Sequence, residues 1–124
     1  MVNKKKYVMQ FHKSKRPHYD FRLEVDGVAK SWAIPKKPEF KKGEKRLAVQ
    51  VEDHSIDYMS FEGKIPQGQY GAGTVKIWDS GFYEPVKISE KEWIIDIKGK
   101  KLKGEFVLVK FRDKNWLMFR KKEG

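Results

Sequence analysis

Apolar and ionisable residues alternate strictly over residues 18–25: Tyr19, Phe21, Leu23 and Val25 are apolar, while His18, Asp20, Arg22 and Glu24 are ionisable. A repeat of two marks a strand with one buried and one wet face. Similar short runs recur along the chain, punctuated by Gly, Pro, Asp and Asn, whereas helix signals are scarce. The pattern predicts strands over residues 7–11, 18–25, 28–34, 46–52, 74–78, 93–98, 105–111 and 116–120. The expected fold class is all-β, a small closed or nearly closed antiparallel β-barrel of about eight strands with little helix.

Asp26-Gly27 suits a two-residue type I′ turn that pairs Val25 with Val28. Counting outward places Phe21 opposite Trp32 and Tyr19 opposite Ile34 on the apolar face, with Arg22 opposite Ser31 and Asp20 opposite Ala33 on the other. Small residues facing Asp20 and Arg22 leave room for a binding groove, and fit a crowded barrel interior equally well. In the next strand Arg46 has the parity of His54, so both are expected to look into one cavity. Pro35 and Pro38 bracket Lys36 and Lys37, placing basic side chains on a constrained loop. The run I-P-Q-G-Q-Y-G-A-G-T-V, residues 65–75, lacks the Lys-Ser/Thr of a P-loop and leads into a strand rather than a helix. Its glycines therefore read as positions needing positive φ. Trp93, Ile95, Ile97, Phe106, Leu108, Trp116 and Met118 in the last third read as core.

The 124 residues contain no long Ser/Gly linker, so residues 1–124 are expected to form one domain around one core. No run of about 18 apolar residues occurs and the first ten residues lack a signal-peptide stretch, which points to a cytoplasmic protein with no membrane partner. With no cysteine, disulfides, thiolate zinc sites and cysteine nucleophiles are excluded. Lys and Arg number 28 against 17 Asp and Glu, a formal charge of +11 that favours a polyanion, nucleic acid above all, as partner.

Only three histidines occur, and His12 and His18 lie close together with Asp20 two residues further on. Two imidazoles and a carboxylate suit Mn²⁺, Fe²⁺ or Zn²⁺ and leave coordination positions open. Arg22, on the same strand face as His18 and Asp20, supplies a fork for an anionic group. The combination suggests metal-assisted chemistry on a phosphate.

The run H-K-S-K-R-P-H-Y-D-F-R-L-E-V-D-G-V-A-K-S-W-A-I-P-K closely resembles the 3′-phosphoesterase domain of bacterial DNA ligase D, as do K-R-L-A-V-Q-V-E-D-H-S-I-D-Y and F-E-G-K-I-P-Q-G-Q-Y-G-A-G-T-V in the same order. The resemblance implies a small β-barrel that heals DNA 3′ ends during end joining. It would remove a 3′-terminal ribonucleoside to leave a 3′-phosphate and then hydrolyse that phosphate to a 3′-hydroxyl, on a primer-template, with Mn²⁺ as the usual metal and Zn²⁺ or Co²⁺ as other divalent candidates. It implies His12, His18 and Asp20 as metal ligands, Arg22, His54 and Tyr58 around the scissile phosphate, and Lys36 and Arg46 as further basic groups of the active site. The polymerase and ligase domains of ligase D are absent from this sequence, so a stand-alone enzyme using a ligase or polymerase in trans is expected. The family's N-terminal arm, with an Arg, an Asp and a Glu, is replaced by a short basic stretch, and a shifted balance between the two activities is expected. The rivals are a cupin-like non-haem iron oxygenase, which leaves His12 and Arg22 unexplained, and a non-catalytic nucleic-acid-binding barrel, for which charge and aromatics suffice.

Overall fold

The computed structural model describes residues 4–41 and 43–122. Nine strands follow in order: β1 Lys5–Lys13, β2 His18–Val25, β3 Val28–Ile34, β4 Lys45–Ser55, β5 Gly63–Ile65, β6 Gly73–Ile88, β7 Glu92–Gly99, β8 Lys103–Arg112 and β9 Asn115–Arg120. The antiparallel order β1-β2-β3-β4-β9-β8-β7-β6 closes through β6 onto β1, and β5 adds to the first residues of β6 as a ninth strand. The expected eight-stranded closed barrel is therefore present, with one extra strand. The described residues contain no α-helix, only a 3₁₀ turn over Ile56–Ser60, and no helix long and apolar enough to cross a membrane.

The β2–β3 hairpin has the register that the alternation predicts, with Val25, Arg22, Phe21, Asp20 and Tyr19 facing Val28, Ser31, Trp32, Ala33 and Ile34. Its turn takes φ of +48° at Asp26 and +83° at Gly27, the two positive values a type I′ turn requires. β6 runs well past the expected 74–78 because two apparent strand breakers are accommodated. Gly81 lies where a Cβ would collide with the Lys98 carbonyl, and Pro85 sits beside a bulge, a place where a strand tolerates proline.

One parity of each strand fills the barrel. Tyr7, Met9, Phe21, Leu23, Trp32, Ile34, Ala48, Tyr83, Ile95, Ile97, Phe106, Leu108, Trp116 and Met118 form a single buried cluster, with Trp32 edge-on to both Trp93 and Trp116. The interior is packed and leaves the opposite parity of β1 and β2, namely Val8, Gln10, His12, Asp20 and Arg22, on the outer surface of the barrel. Those residues are nonetheless buried, because the chain from Ile56 to Ala72 arches back over them. A second small core of Val8, Ala29 and Met59, flanked by Ile56 and Ile77, fastens this cover to the barrel wall. Glu62 accepts from the Ile77 amide at 2.8 Å and holds its middle.

Candidate functional site

His12 and His18 are register partners on β1 and β2, and Gln10 faces Asp20 one outward row further on. One ligand atom from each of His12, His18 and Asp20 lies within 4.8 Å of the others. Backbone carbonyls fix both imidazoles. His12 Nε2 donates to Gly71 O at 2.7 Å, leaving Nδ1 as the lone pair 3.8 Å from Asp20 Oδ2. His18 Nδ1 donates to Arg16 O at 2.9 Å, leaving Nε2 3.2 Å from Asp20 Oδ1. Metal-binding histidines are oriented in this way, with the second ring nitrogen engaged elsewhere. The donors therefore fit a divalent ion of the borderline class, held by two imidazoles and a carboxylate. The His18 pKa is raised chiefly by its hydrogen bond to Asp20, against the opposing effect of burial.

Arg22 is 3% exposed and held on several sides. Its Nε donates to Gln10 Oε1 and its Nη1 to Ser31 Oγ, both at 2.7 Å, and Nη2 lies 3.4 Å from Asp20 Oδ2. Of five guanidinium N–H donors three are engaged, which leaves two for an incoming anion. Burial lowers the Arg22 pKa, and the neighbouring Asp20 charge counters it. The guanidinium lies 4.8 Å from the centroid of the Tyr58 ring, which stacks with His54 at 4.6 Å and Phe61 at 5.2 Å. Gln10, wholly buried, joins these parts: its Nε2 donates to Tyr58 O at 2.8 Å and Phe61 O at 3.1 Å while its Oε1 holds Arg22. Burial, then Arg22, lowers the His54 pKa.

The structure thus brings together six of the expected residues, His12, His18, Asp20, Arg22, His54 and Tyr58. It does not bring Arg46 together with His54. β3 and β4 pair Ala33 with Val49 and Ser31 with Val51, but Ala29 with His54, so three β4 residues span two of β3. This one-residue bulge turns His54 onto the outer face beside Arg22. Arg46 keeps the core-facing parity, opposite Met118, where its guanidinium bonds Lys37 O and Glu44 at 2.9 Å. The shared parity fails because a bulge reverses every later side chain on its strand. Lys36 is exposed and, with Pro35, Lys45, Arg46 and Leu47, lines a shallow depression of about 180 Å³. Gln10, Ser31, Phe61 and Gly71 were not anticipated as site residues. For Gln10 a signal existed, since a glutamine two residues before His12 shares its strand face.

The molecule is thus a closed barrel with a packed interior and a candidate metal-donor set on its outer wall. The chain belongs to the DNA ligase D 3′-phosphoesterase domain family, whose model matches residues 10–110. It is 45% identical over 132 aligned positions to the multifunctional non-homologous end joining protein LigD of Mycolicibacterium smegmatis, covering 98% of this chain and 17% of that protein. The corresponding proteins of Mycobacterium tuberculosis and Pseudomonas aeruginosa are each 44% identical, over 94% and 96% of this chain and 16% and 15% of their own lengths. The chain spans about a sixth of the length of these curated relatives.

Proposed function

We propose that this protein is a metal-dependent phosphoesterase that heals DNA 3′ ends for end-joining repair, removing 3′-terminal ribonucleosides and 3′-phosphates to leave 3′-hydroxyl ends. The observation that carries this reading is the meeting of two tautomer-fixed histidines and Asp20 with a guanidinium that keeps two donors free. Mn²⁺ is the metal the reading favours. A divalent ion held by His12, His18 and Asp20 would polarise a phosphoryl oxygen and lower the pKa of a water. Arg22, immobilised by Gln10 and Ser31, binds the phosphate and offsets the charge that develops on its oxygens. Stacked on Tyr58, His54 is neutral near pH 7 and hydrogen-bonds the phosphate from the Arg22 side. Lys36 adds positive potential at the edge, and Arg46 braces the adjoining loop.

In the first reaction water adds to phosphorus and the bond to the 5′ oxygen of the terminal ribonucleoside breaks, leaving a 3′-phosphate. In the second, water again adds to phosphorus and the bond to the 3′ oxygen breaks, releasing inorganic phosphate and a 3′-hydroxyl. A primer-template is the substrate, and the healed 3′-hydroxyl end is what a ligase or polymerase activity then uses. The test is a primer-template ending in one ribonucleotide, incubated with Mn²⁺ or chelator, with 3′-phosphate and 3′-hydroxyl products resolved on a gel. Metal-dependent product from wild type and none from His18→Ala is expected. No product with any divalent metal, alongside intact DNA binding, would overturn the reading and leave a binding barrel.

A further inference from the structure

The glycine-rich run over residues 65–75 carries an aromatic without a task in the site described above, Tyr70, and it is the most exposed large hydrophobic side chain among the described residues. Gln69 N donates to Pro66 O at 3.3 Å and Ala72 N to Gln69 O at 3.1 Å, so residues 66–69 and 69–72 form two consecutive turns. The third residue of each is a glycine at positive φ, +88° at Gly68 and +78° at Gly71, whereas Gln67 and Tyr70 keep negative φ. That is type II geometry, which demands glycine at the third position and leaves the second as the outward corner. Tyr70 occupies that corner, and at 104% relative exposure its ring stands clear of the protein. No hydrogen bond, aromatic pair or cation–π contact involves it among the described residues.

This corner is pinned at both ends. Gly71 O accepts from His12, and Gly73 lies so close to the β1–β2 turn that a Cβ there would collide with the Lys13 carbonyl. Tyr70 is therefore one residue, about 3.8 Å between Cα atoms, from the group that orients a candidate metal ligand. The same turn carries Lys13, Lys15 and Arg16, all exposed, so the segment that bears Tyr70 packs at Gly73 against a basic rim. The cover thus holds an aromatic at each end: Tyr58, engaged with Arg22 and His54, and Tyr70, engaged with nothing.

The geometry points to Tyr70 as the stacking platform for the base of the nucleotide whose phosphate lies at His12, His18 and Asp20. This inference rests on the phosphoesterase reading and adds a specificity element to it. Every base offers a π-face, so the platform holds the terminal nucleoside without regard to its identity, while Lys13, Lys15 and Arg16 attract the strand's phosphates.

The test compares wild type with Tyr70→Ala, Tyr70→Phe and Tyr70→Trp on two primer-templates whose 3′-phosphorylated last residue carries adenine or is abasic. Loss of a base–aromatic stack is expected to raise KM on the adenine substrate roughly tenfold. Tyr70→Ala should then match the wild-type value on the abasic substrate, so that loss of ring and loss of base are not additive, and Phe and Trp should restore wild-type KM. With 2-aminopurine in place of that adenine, equilibrium binding under chelation should quench its fluorescence in wild type and not in Tyr70→Ala. Equal KM changes on both substrates, no change on either, or a Tyr70→Phe variant as impaired as Tyr70→Ala would overturn the proposal. Failure of the phosphoesterase reading would show separately, as absent turnover by wild type on both substrates, and the quenching would then decide the stacking alone.

Discussion

Gln10→Leu keeps most of the volume of a wholly buried side chain and removes both functions of its amide. Three hydrogen bonds go: one at 2.7 Å from the charged Arg22 Nε and two donated to Tyr58 O and Phe61 O. A bond to a charged group contributes about 1.5–3 kcal/mol and a neutral one about 0.5–1.5, and here the former partners stay buried without replacements. The sum is a loss of roughly 2.5–6 kcal/mol, which for a chain of this size lowers the melting temperature by about 10–25 °C. Function should suffer separately, because Arg22 loses a positioning contact and the turn bearing Tyr58 loses its anchor. A displacement of about 1 Å costs on the order of 100-fold in turnover. None of the hydrogen bonds made by Gln10 goes to His12, His18 or Asp20 themselves, and only Asp20 is reached, through Arg22, so Mn²⁺ affinity should stay within about twofold, well below the cost of losing a ligand-orienting contact. Thermal melts, Mn²⁺ titration and turnover of a 3′-phosphorylated primer, measured at a temperature where the variant is folded, check all three. A melting temperature within about 3 °C of wild type with undiminished turnover would refute the reasoning.

Gly71→Ala places a β-carbon at φ +78° and 3.4 Å from His12 Cε1, disturbing the carbonyl that fixes the ring; Mn²⁺ affinity should fall roughly 10- to 100-fold. Gly68→Ala, at φ +88° with open space around it, should cost similar stability and leave metal affinity intact, and equal affinities in the two variants would remove Gly71 from the site. Asp79, buried on the core side, accepts from the Tyr7 hydroxyl and the amides of Lys100, Lys101 and Leu102 at 2.9–3.0 Å. Asp79→Asn should therefore lower urea-unfolding stability by about 2–4 kcal/mol while turnover by the folded protein is unchanged. Burial and Arg22 depress the His54 pKa, so between its folded value and the unfolded value of about 6.5 the unfolded chain binds the additional proton. Stability gained from this group thus rises with pH through that window, and His54→Gln should flatten the slope of melting temperature against pH below about 6.5. An unchanged slope would show that His54 does not titrate as described.

What was legible in the sequence was whatever a strict repeat of two controls. Residues 18–34 carry an uninterrupted alternation and a turn dipeptide with one good geometry, and the pairing of Asp20 with Ala33 and Arg22 with Ser31 follows from counting. The three-residue donor set was equally legible, because two histidines and an aspartate on adjoining strand rows have one face to share. Counting fails wherever the backbone departs from the repeat. The extra residue between Val51 and His54 has no compositional mark, so the face of His54, and its separation from Arg46, emerges only in the folded chain. Gly81 and Pro85 concealed the length of β6 because their tolerance depends on a close-approaching strand and a bulge. Counting puts Ser31 opposite Arg22 as a small residue, whereas only the folded chain shows that its hydroxyl is one of the contacts that hold the guanidinium.

The most direct measurement is pulsed electron–nuclear spectroscopy of the protein loaded with one equivalent of Mn²⁺, before and after addition of inorganic phosphate. The account predicts couplings from two imidazole nitrogens, one of them lost in His12→Ala and the other in His18→Ala, and a phosphorus coupling when phosphate is added. Absence of nitrogen coupling, or two nitrogens retained in His18→Ala, would place the ion elsewhere and contradict the account.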